Sequence, residues 1–205
     1  MSIQITIIGL GQIGASMGLA LEKNKDEIKR VGLDRLVNVA KQAKKMGAVD
    51  DVKVNLSAAV RKADIVILAM PSDQVKETLE VIADDLQEDT VIMDTSPIRQ
   101  AVTDWAQNLL PVGRSYVGLT PIINPEHLED STSGIDAAHA DMFERGIMAI
   151  AAGRSTPEHA IKAAASLTQL LGASPFFADI AEVDGVMAAI QVLPQLSAAA
   201  LLDAT

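Results

Sequence analysis

Residues Ile3 to Asp34 carry the pattern that most restricts how this chain can fold. An apolar run, Ile5-Thr6-Ile7-Ile8, leads straight into Gly9-Leu10-Gly11-Gln12-Ile13-Gly14. A helical pattern follows, then a second short apolar run, Val31-Gly32-Leu33, ends at Asp34, twenty positions after the last glycine. The order is strand, glycine turn, helix, strand, acid. Gly9 permits a tight turn out of the strand, Gly11 has no side chain to keep a pyrophosphate from the backbone, and Gly14 lets the helix pack closely on the strand. The helix N-terminus offers free N–H groups and the positive end of its dipole to phosphates. Asp34 is placed to accept hydrogen bonds from a ribose hydroxyl pair. The stretch therefore predicts a dinucleotide site built from Gly9, Leu10, Gly11, Gln12, Ile13, Gly14 and Asp34. The competing reading is a glycine turn that serves backbone geometry alone in another α/β fold.

Strands and helices alternate beyond this unit. Helical patterns cover 36–46, an Asn55-capped segment to Arg61, 74–86, a segment after Pro97 to Leu110, 135–144 and 156–171. Strand patterns cover 52–54, 64–70, 91–94, 115–119 (broken by Thr120-Pro121), 147–151 and 174–177. The run Asp64–Met70 is continuously apolar, as expected of a parallel strand covered on both faces. This alternation predicts an α/β protein with a doubly wound, mostly parallel sheet over residues 1–178. From Asp179 the chain reads as one long helix kinked near Pro194, rich in Ala and Leu. So apolar a helix needs a covering surface. Truncation of a longer helical domain, burial against a second subunit, and packing onto the first domain all remain open.

Composition narrows the partners. A net charge of −10 argues against nucleic acid and anionic membrane. The chain has no cysteine, which removes disulfides, thiolate nucleophiles and cysteine metal sites. The first strand begins within two residues of Met1 without a basic region, so no signal peptide is expected. No apolar run approaches the roughly 20 residues that span a bilayer. The expectation is a soluble, cytoplasmic protein acting on a small molecule.

Several blocks in order resemble the prephenate/arogenate dehydrogenase family of NAD(P)-dependent oxidoreductases: IIGLGQIGASMGLAL, ADIVILAMPSDQV, VIMDTSPIRQAV, GLTPIINPEHLEDSTSGIDAAHADMF and EVDGVMAAIQVLPQLSAAAL. The resemblance covers nearly the whole chain and implies a Rossmann domain followed by an all-helical, dimer-forming domain. Residues 179–205 would be only the start of that second domain. The implied reaction is hydride transfer from a cyclohexadienyl substrate with oxidative decarboxylation, in tyrosine biosynthesis. The alternatives are a related dehydrogenase or reductase with another small substrate, and a dinucleotide-binding protein with a regulatory role.

The departures from the family pattern fall on its acid–base residues. Where the family has histidine in Gly-x-His-Pro, this chain has Gly118-Leu119-Thr120-Pro121. The Asp-x-x-Ser-x-Lys segment becomes Asp94-Thr95-Ser96-Pro97-Ile98-Arg99, with proline in the serine position and Ser96 beside it. Val183-Asp184 and Gln191-Val192-Leu193-Pro194-Gln195 replace His-Asp and Ser-His-Leu-Pro-His. A threonine hydroxyl cannot act as an unaided general base near neutrality.

Ser96, Thr120 and Gln191 are accordingly the candidate catalytic residues, with Asn124 and Gln195 expected to face the same cleft. Uncharged groups of this kind suit orienting a substrate better than moving protons. Met70, Pro71, Ser72 and Thr95, at the carboxyl edge of the sheet, are expected to line the cofactor path. Met70-Pro71-Ser72 reads equally as a strand-ending turn, and the two glutamines as hydrogen-bonding groups in a dimer core. Asp34 favours NAD by repelling a 2′-phosphate. Arg35, with Arg30 or Lys41 near it, leaves NADP open. His127 sits in the polar loop after the sixth strand, and His139 and His159 are expected on helix surfaces. No histidine or carboxylate pair has ligand spacing, so no metal is expected.

Overall fold

The computed structural model describes residues 2–128 and 131–203. Its first five strands are β1 (Ile3–Ile8), β2 (Ile28–Leu33), β3 (Asp51–Val52), β4 (Ile65–Leu68) and β5 (Val91–Asp94). They are followed by β6 (Ser115–Ile122), β7 (Ile147–Ala151) and β8 (Ser174–Phe177). All lie in one sheet of order β3-β2-β1-β4-β5-β6-β7-β8, parallel except for the β6–β7 pair. The order reverses between β1 and β4, which places a ligand crevice at the carboxyl ends of those strands. The doubly wound Rossmann architecture expected from the sequence is thus present.

Six helices belong to the sheet: α1 (Gln12–Ala20), α2 (Val37–Lys45), α3 (Leu56–Val60), α4 (Ser72–Ile82), α5 (Arg99–Leu109) and α6 (Glu158–Leu170). They divide between its two faces, because successive strand residues point to opposite sides. Ile5, Ile7, Ile67 and Met93 join the core under α1, α2 and α6. Ile8, Val66, Leu68 and Ile92 join the core under α3, α4 and α5. Asn55 caps α3 through a hydrogen bond from the Ala58 N–H, as its sequence position predicts.

Three expectations are corrected. First, β6 does not break at Thr120-Pro121 but runs on to Ile122, paired antiparallel with β7. β5 ends opposite Gly118, so beyond that point one edge of β6 has no ladder partner and tolerates a residue without an N–H. Second, 135–144 is not a helix but a short 3-10 turn (Gly134–Ala137) followed by irregular chain. Its backbone finds tertiary partners instead: His139 N–H donates to Ser16 Oγ, and the Met142 carbonyl accepts from Asn124 N–H. Without an intervening helix, β6 and β7 run antiparallel.

Third, the C-terminal helix, continuous and irregular near Pro194 as expected, corrects the reading of its length and hydropathy. Asp179 opens α7 (Ile180–Met187) with a capping box, a π-helical turn spans Ala188–Val192, and α8 (Leu193–Asp203) follows. Pro194 lies two residues beyond the π turn, in a helix that is continuous from Ile180 to Asp203. Contrary to the expectation of no such run, Ile180–Asp203 is long and apolar enough to cross a membrane by length and composition. A protein-covered helix passes the same test. Asp184 ties α7 to the sheet domain, because its carboxylate accepts the backbone N–H groups of Arg99 and Gln100 at the start of α5.

Candidate cofactor and substrate site

The glycines of the turn after β1 answer to different constraints. Gly9 has φ +92°, and a Cβ there would meet the Ala69 carbonyl oxygen at 2.3 Å. At Gly14 a Cβ would meet the Gly9 carbonyl oxygen at 1.9 Å, so α1 packs on the turn only because both residues are glycine. Gly11 differs. It is the residue before α1, its φ is −75°, and a Cβ there would meet nothing within 4 Å. Its bareness serves no internal contact and faces open space at the helix N-terminus, where a pyrophosphate would lie. Leu10 buries its side chain in the core, Gln12 and Ile13 are half-buried at the start of α1, and Gly14 is buried.

Asp34 lies at the end of β2, one strand from the turn, and both its oxygens are engaged. Oδ2 accepts from Leu10 N–H and Oδ1 from Leu36 N–H, each at 2.8 Å. Each carboxylate oxygen keeps a second lone pair for a sugar hydroxyl. Gly9, Gly11, Asp34, Arg35, Met70 and Pro71 line one cleft of about 510 Å³. Ser72 opens α4 and Thr95 follows β5, half-buried, with its N–H bonded to the Leu68 carbonyl; neither lines that cleft. Arg30 cannot assist a 2′-phosphate, correcting the expectation. It is buried, paired with Asp50 and bonded to the carbonyls of Gly18 and Gly47. Burial alone would raise the Asp50 carboxyl, but the Arg30 hydrogen bonds hold it below its usual range.

A second cleft of about 570 Å³ opens between the sheet and α7, lined by Thr120, Ile122, Ala149, Phe176, Val183 and Met187 among others. Its lining is almost wholly apolar. Thr120 lies two residues past the last β5–β6 pair, Asp94–Gly118, and lines this cleft, whereas Ser96 lies in the loop after β5 and does not line it. Ser96 and Thr120 are 1% and 4% exposed, and neither hydroxyl has a hydrogen-bond partner. A buried, unsatisfied hydroxyl costs about 1–3 kcal/mol, which a bound ligand can recover.

Below this edge lies a charged centre that sequence reading did not assemble. Arg99, fully buried, forms an ion pair with Asp94 at 2.8 Å, and the Tyr116 hydroxyl donates to the same carboxylate. The Arg99 guanidinium also donates to the Ser96 carbonyl, fixing the loop that carries the Ser96 hydroxyl. Burial works against the charge on Arg99, yet Asp94 and Tyr116 more than offset it and raise its pKa. Burial first, and then the Asp94 charge, push the Tyr116 phenol well above its usual value. Gly118 leaves room for this arginine, because a Cβ there would fall 2.2 Å from Arg99 Nη1. The acid and base five residues apart in the Asp94–Arg99 segment were the available signal.

Other candidates are placed differently from expectation. Asn124 is buried and accepts from Glu126 N–H, capping a 3-10 turn (Pro125–His127) rather than facing the cleft. Gln195 is exposed and does not line the apolar cleft. Gln191 falls within the π-helical turn, and its side chain lies outside the described residues. His159 is exposed on α6, as expected. His139 is not on a helix: it stacks on His127 with ring centroids 4.3 Å apart, and His127 pairs with Asp141 at 2.9 Å. Spacing along the chain could not reveal this grouping, which the fold assembles.

Comparison with known proteins agrees with this geometry. Residues 17–176 match the family model described as prephenate dehydrogenase, nucleotide-binding domain. Prephenate dehydrogenase of Bacillus subtilis is 31% identical over 204 residues, covering 98% of this chain and 53% of that protein. Cyclohexadienyl dehydrogenase of Zymomonas mobilis is 28% identical over 200 residues, covering 97% of this chain and 66% of that protein. The crystal structure of prephenate dehydrogenase from A. aeolicus, in complex with hydroxyphenyl propionate and NAD+, superposes with a TM-score of 0.86 at 20% identity. It is covered over 69% of its length by the whole of this chain. The chain thus spans about half to two thirds of these two curated relatives.

Proposed function

The chain belongs to the prephenate dehydrogenase family, and on that premise we propose that it forms the nucleotide-binding part of an NAD-linked dehydrogenase of cyclohexadienyl substrates. In this reading the first cleft would hold NAD, with the α1 N-terminus at Gly11 available to its pyrophosphate and Asp34 to its adenosine ribose. Asp34 supports NAD; the exposed Arg35 beside it keeps NADP open as a second cofactor. The substrate ring occupies the apolar cleft against α7. Bound NAD would supply the hydride acceptor; the reaction would release carbon dioxide, its bonding electrons completing the aromatic ring, and the proton lost from the substrate hydroxyl would return to the oxygen of the phenol product.

The observation that carries this reading is the pair of buried, unpartnered hydroxyls of Ser96 and Thr120. Thr120 lines the apolar cleft, where its hydroxyl would hold the substrate's oxygen and orient its C–H bond; Ser96, on the loop after β5, is the second candidate. Neither takes the proton unaided, so the proton leaves through water or a group outside the described residues. Gln191 joins this set by its place on the C-terminal helix. Exposed Val186, Ile190, Leu193 and Leu196 on α7, the π-helical turn and α8 support a homodimer formed through these helices, and we place the protein in the cytoplasm as a biosynthetic enzyme of this family.

One observation favours a changed substrate. Among the described residues lining the apolar cleft, Glu182 is charged and none is basic. Prephenate brings two carboxylates and arogenate a carboxylate pair with one amine, so either needs cations from beyond this lining. The test is NAD or NADP reduction by the longest natural form of the protein when prephenate or arogenate is added. Turnover supports the reading as stated. No turnover with NADH binding intact sinks the substrate assignment and leaves a dinucleotide protein with another small ligand.

A further inference from the structure

The connection between β6 and β7 holds a constellation that the dehydrogenase reading does not use. His127 closes the 3-10 turn that follows β6, while His139 and Asp141 lie near the other end of the connection, before β7. One ligand atom from each of the three lies within 4.8 Å of the others. His127 Nε2 and Asp141 Oδ1 are already 2.9 Å apart, and the two imidazoles lie face to face at an interplanar angle of 10°. His127 is largely withdrawn from solvent, with 14% of its side chain exposed, whereas Asp141 is half-exposed and leaves an entry path. None of the three lines the cofactor cleft or the apolar cleft.

We propose that His127, His139 and Asp141 form a binding site for a divalent transition-metal ion of the zinc class. Two imidazole nitrogens and one carboxylate oxygen suit zinc, cobalt(II) or nickel(II), and do not suit the all-oxygen preference of magnesium or calcium. Ligand bonds near ~2.1 Å put tetrahedral ligand atoms roughly 3.4 Å apart, and because the two imidazoles are stacked almost parallel, metal binding requires them to turn out of the stack so that their in-plane lone pairs converge on the ion. Each imidazole has two ring nitrogens, so one coordinates while the other keeps a hydrogen bond to its surroundings. Three protein ligands leave a fourth position for water.

The ion's consequence is architectural. It joins the two ends of a long connection that has no α-helix among its described residues, and closing such a loop is where a metal clip constrains the chain most. His139 is also bonded through its N–H to Ser16 on α1. The clip therefore fastens the connection beside the helix that begins at the phosphate turn.

The test is titration of the metal-stripped chain with cobalt(II), read by its visible ligand-field bands, and with zinc(II), read by calorimetry. One equivalent is expected to bind with tetrahedral or five-coordinate cobalt bands. His127→Ala and His139→Ala should each weaken binding by at least about tenfold, and His159→Ala should leave it unchanged. Zinc should raise the melting temperature of the parent, and should not do so in the His127→Ala variant. Circular dichroism of each variant separates lost binding from lost folding, and Asp141→Asn offers a milder change if an alanine variant unfolds. Absence of binding in the folded parent, or binding that survives both histidine substitutions, overturns the proposal. NADH affinity measured alongside keeps this outcome separate from the cofactor reading.

Discussion

Asp184 and Arg99 are joined through the backbone: the Asp184 Oδ1 accepts the Arg99 N–H at 2.6 Å, across 85 residues of chain. Its other oxygen accepts from Gln100 N–H at 2.9 Å, so one carboxylate caps α5 from a different part of the fold. The same arginine points its guanidinium at Asp94, and α7 is thereby fastened to the centre that supports Ser96.

Asp184→Ala should cost about 1 kcal/mol or somewhat more, the usual range for a lost N-terminal cap. That corresponds to a melting temperature lower by roughly 2–4 °C for a domain of this size. Asp184→Asn, which retains a capping oxygen, should be milder. Faster amide exchange along α7 in the alanine variant is the direct readout; unchanged exchange would show that α7 is held by its apolar contacts alone.

Gly118→Ala should be far more damaging than its size suggests. The added methyl would fall on the Arg99 guanidinium, forcing it away from a fully buried Asp94. Separating a buried ion pair costs roughly 3–5 kcal/mol. Chemical denaturation measures this, and a loss below about 1 kcal/mol would mean the arginine has another place to go.

Gly11→Ala should leave the fold intact, because the new methyl meets no atom within 4 Å. It should nevertheless weaken NADH binding by about tenfold or more, since the methyl stands where the pyrophosphate approaches the backbone. Fluorescence titration with NADH, beside an unchanged melting curve, checks both halves of the prediction. Equal affinity in parent and variant would remove the phosphate from this position.

NADH should bind more tightly than NADPH, because a 2′-phosphate would be set against the Asp34 carboxylate. Asp34→Asn retains the acceptor oxygen but not the charge, and should narrow the ratio of the two dissociation constants. A parent that prefers NADPH would reverse the assignment and put Arg35 in charge of cofactor choice.

The one tyrosine of the chain gives a clean alkaline probe. Burial and the neighbouring Asp94 raise the Tyr116 pKa well above its ordinary value of 10.0. A folded-state pKa raised above the unfolded one contributes stability that is fully present below the unfolded value. That contribution is lost as pH rises from about 10 toward the folded value. The tyrosinate band should therefore stay absent in the native protein at a pH where it is fully developed in denaturant. Tyr116→Phe should flatten the fall of stability in that window; a native titration centred near pH 10 would refute the buried pair.

The sequence by itself determined the parts of this protein that depend on local pattern. Alternating apolar runs and helical periodicities set the strand and helix order, and β5, β7 and β8 fall where their apolar runs lie. The phosphate turn was legible because Gly9 and Gly14 answer to backbone geometry that no other residue can adopt or fit. Tertiary structure decided what no spacing encodes. It laid β7 antiparallel to β6, replaced an expected helix with a turn, and took Arg30 out of reach of the cofactor by pairing it with Asp50. It also brought Asp184 onto α5, and His127 onto His139 and Asp141. The physical reason is common to all of these. Periodicity reports which face of an element is apolar, whereas a contact between distant residues depends on the register in which whole elements pack, and that register is settled only when both faces of the sheet are covered.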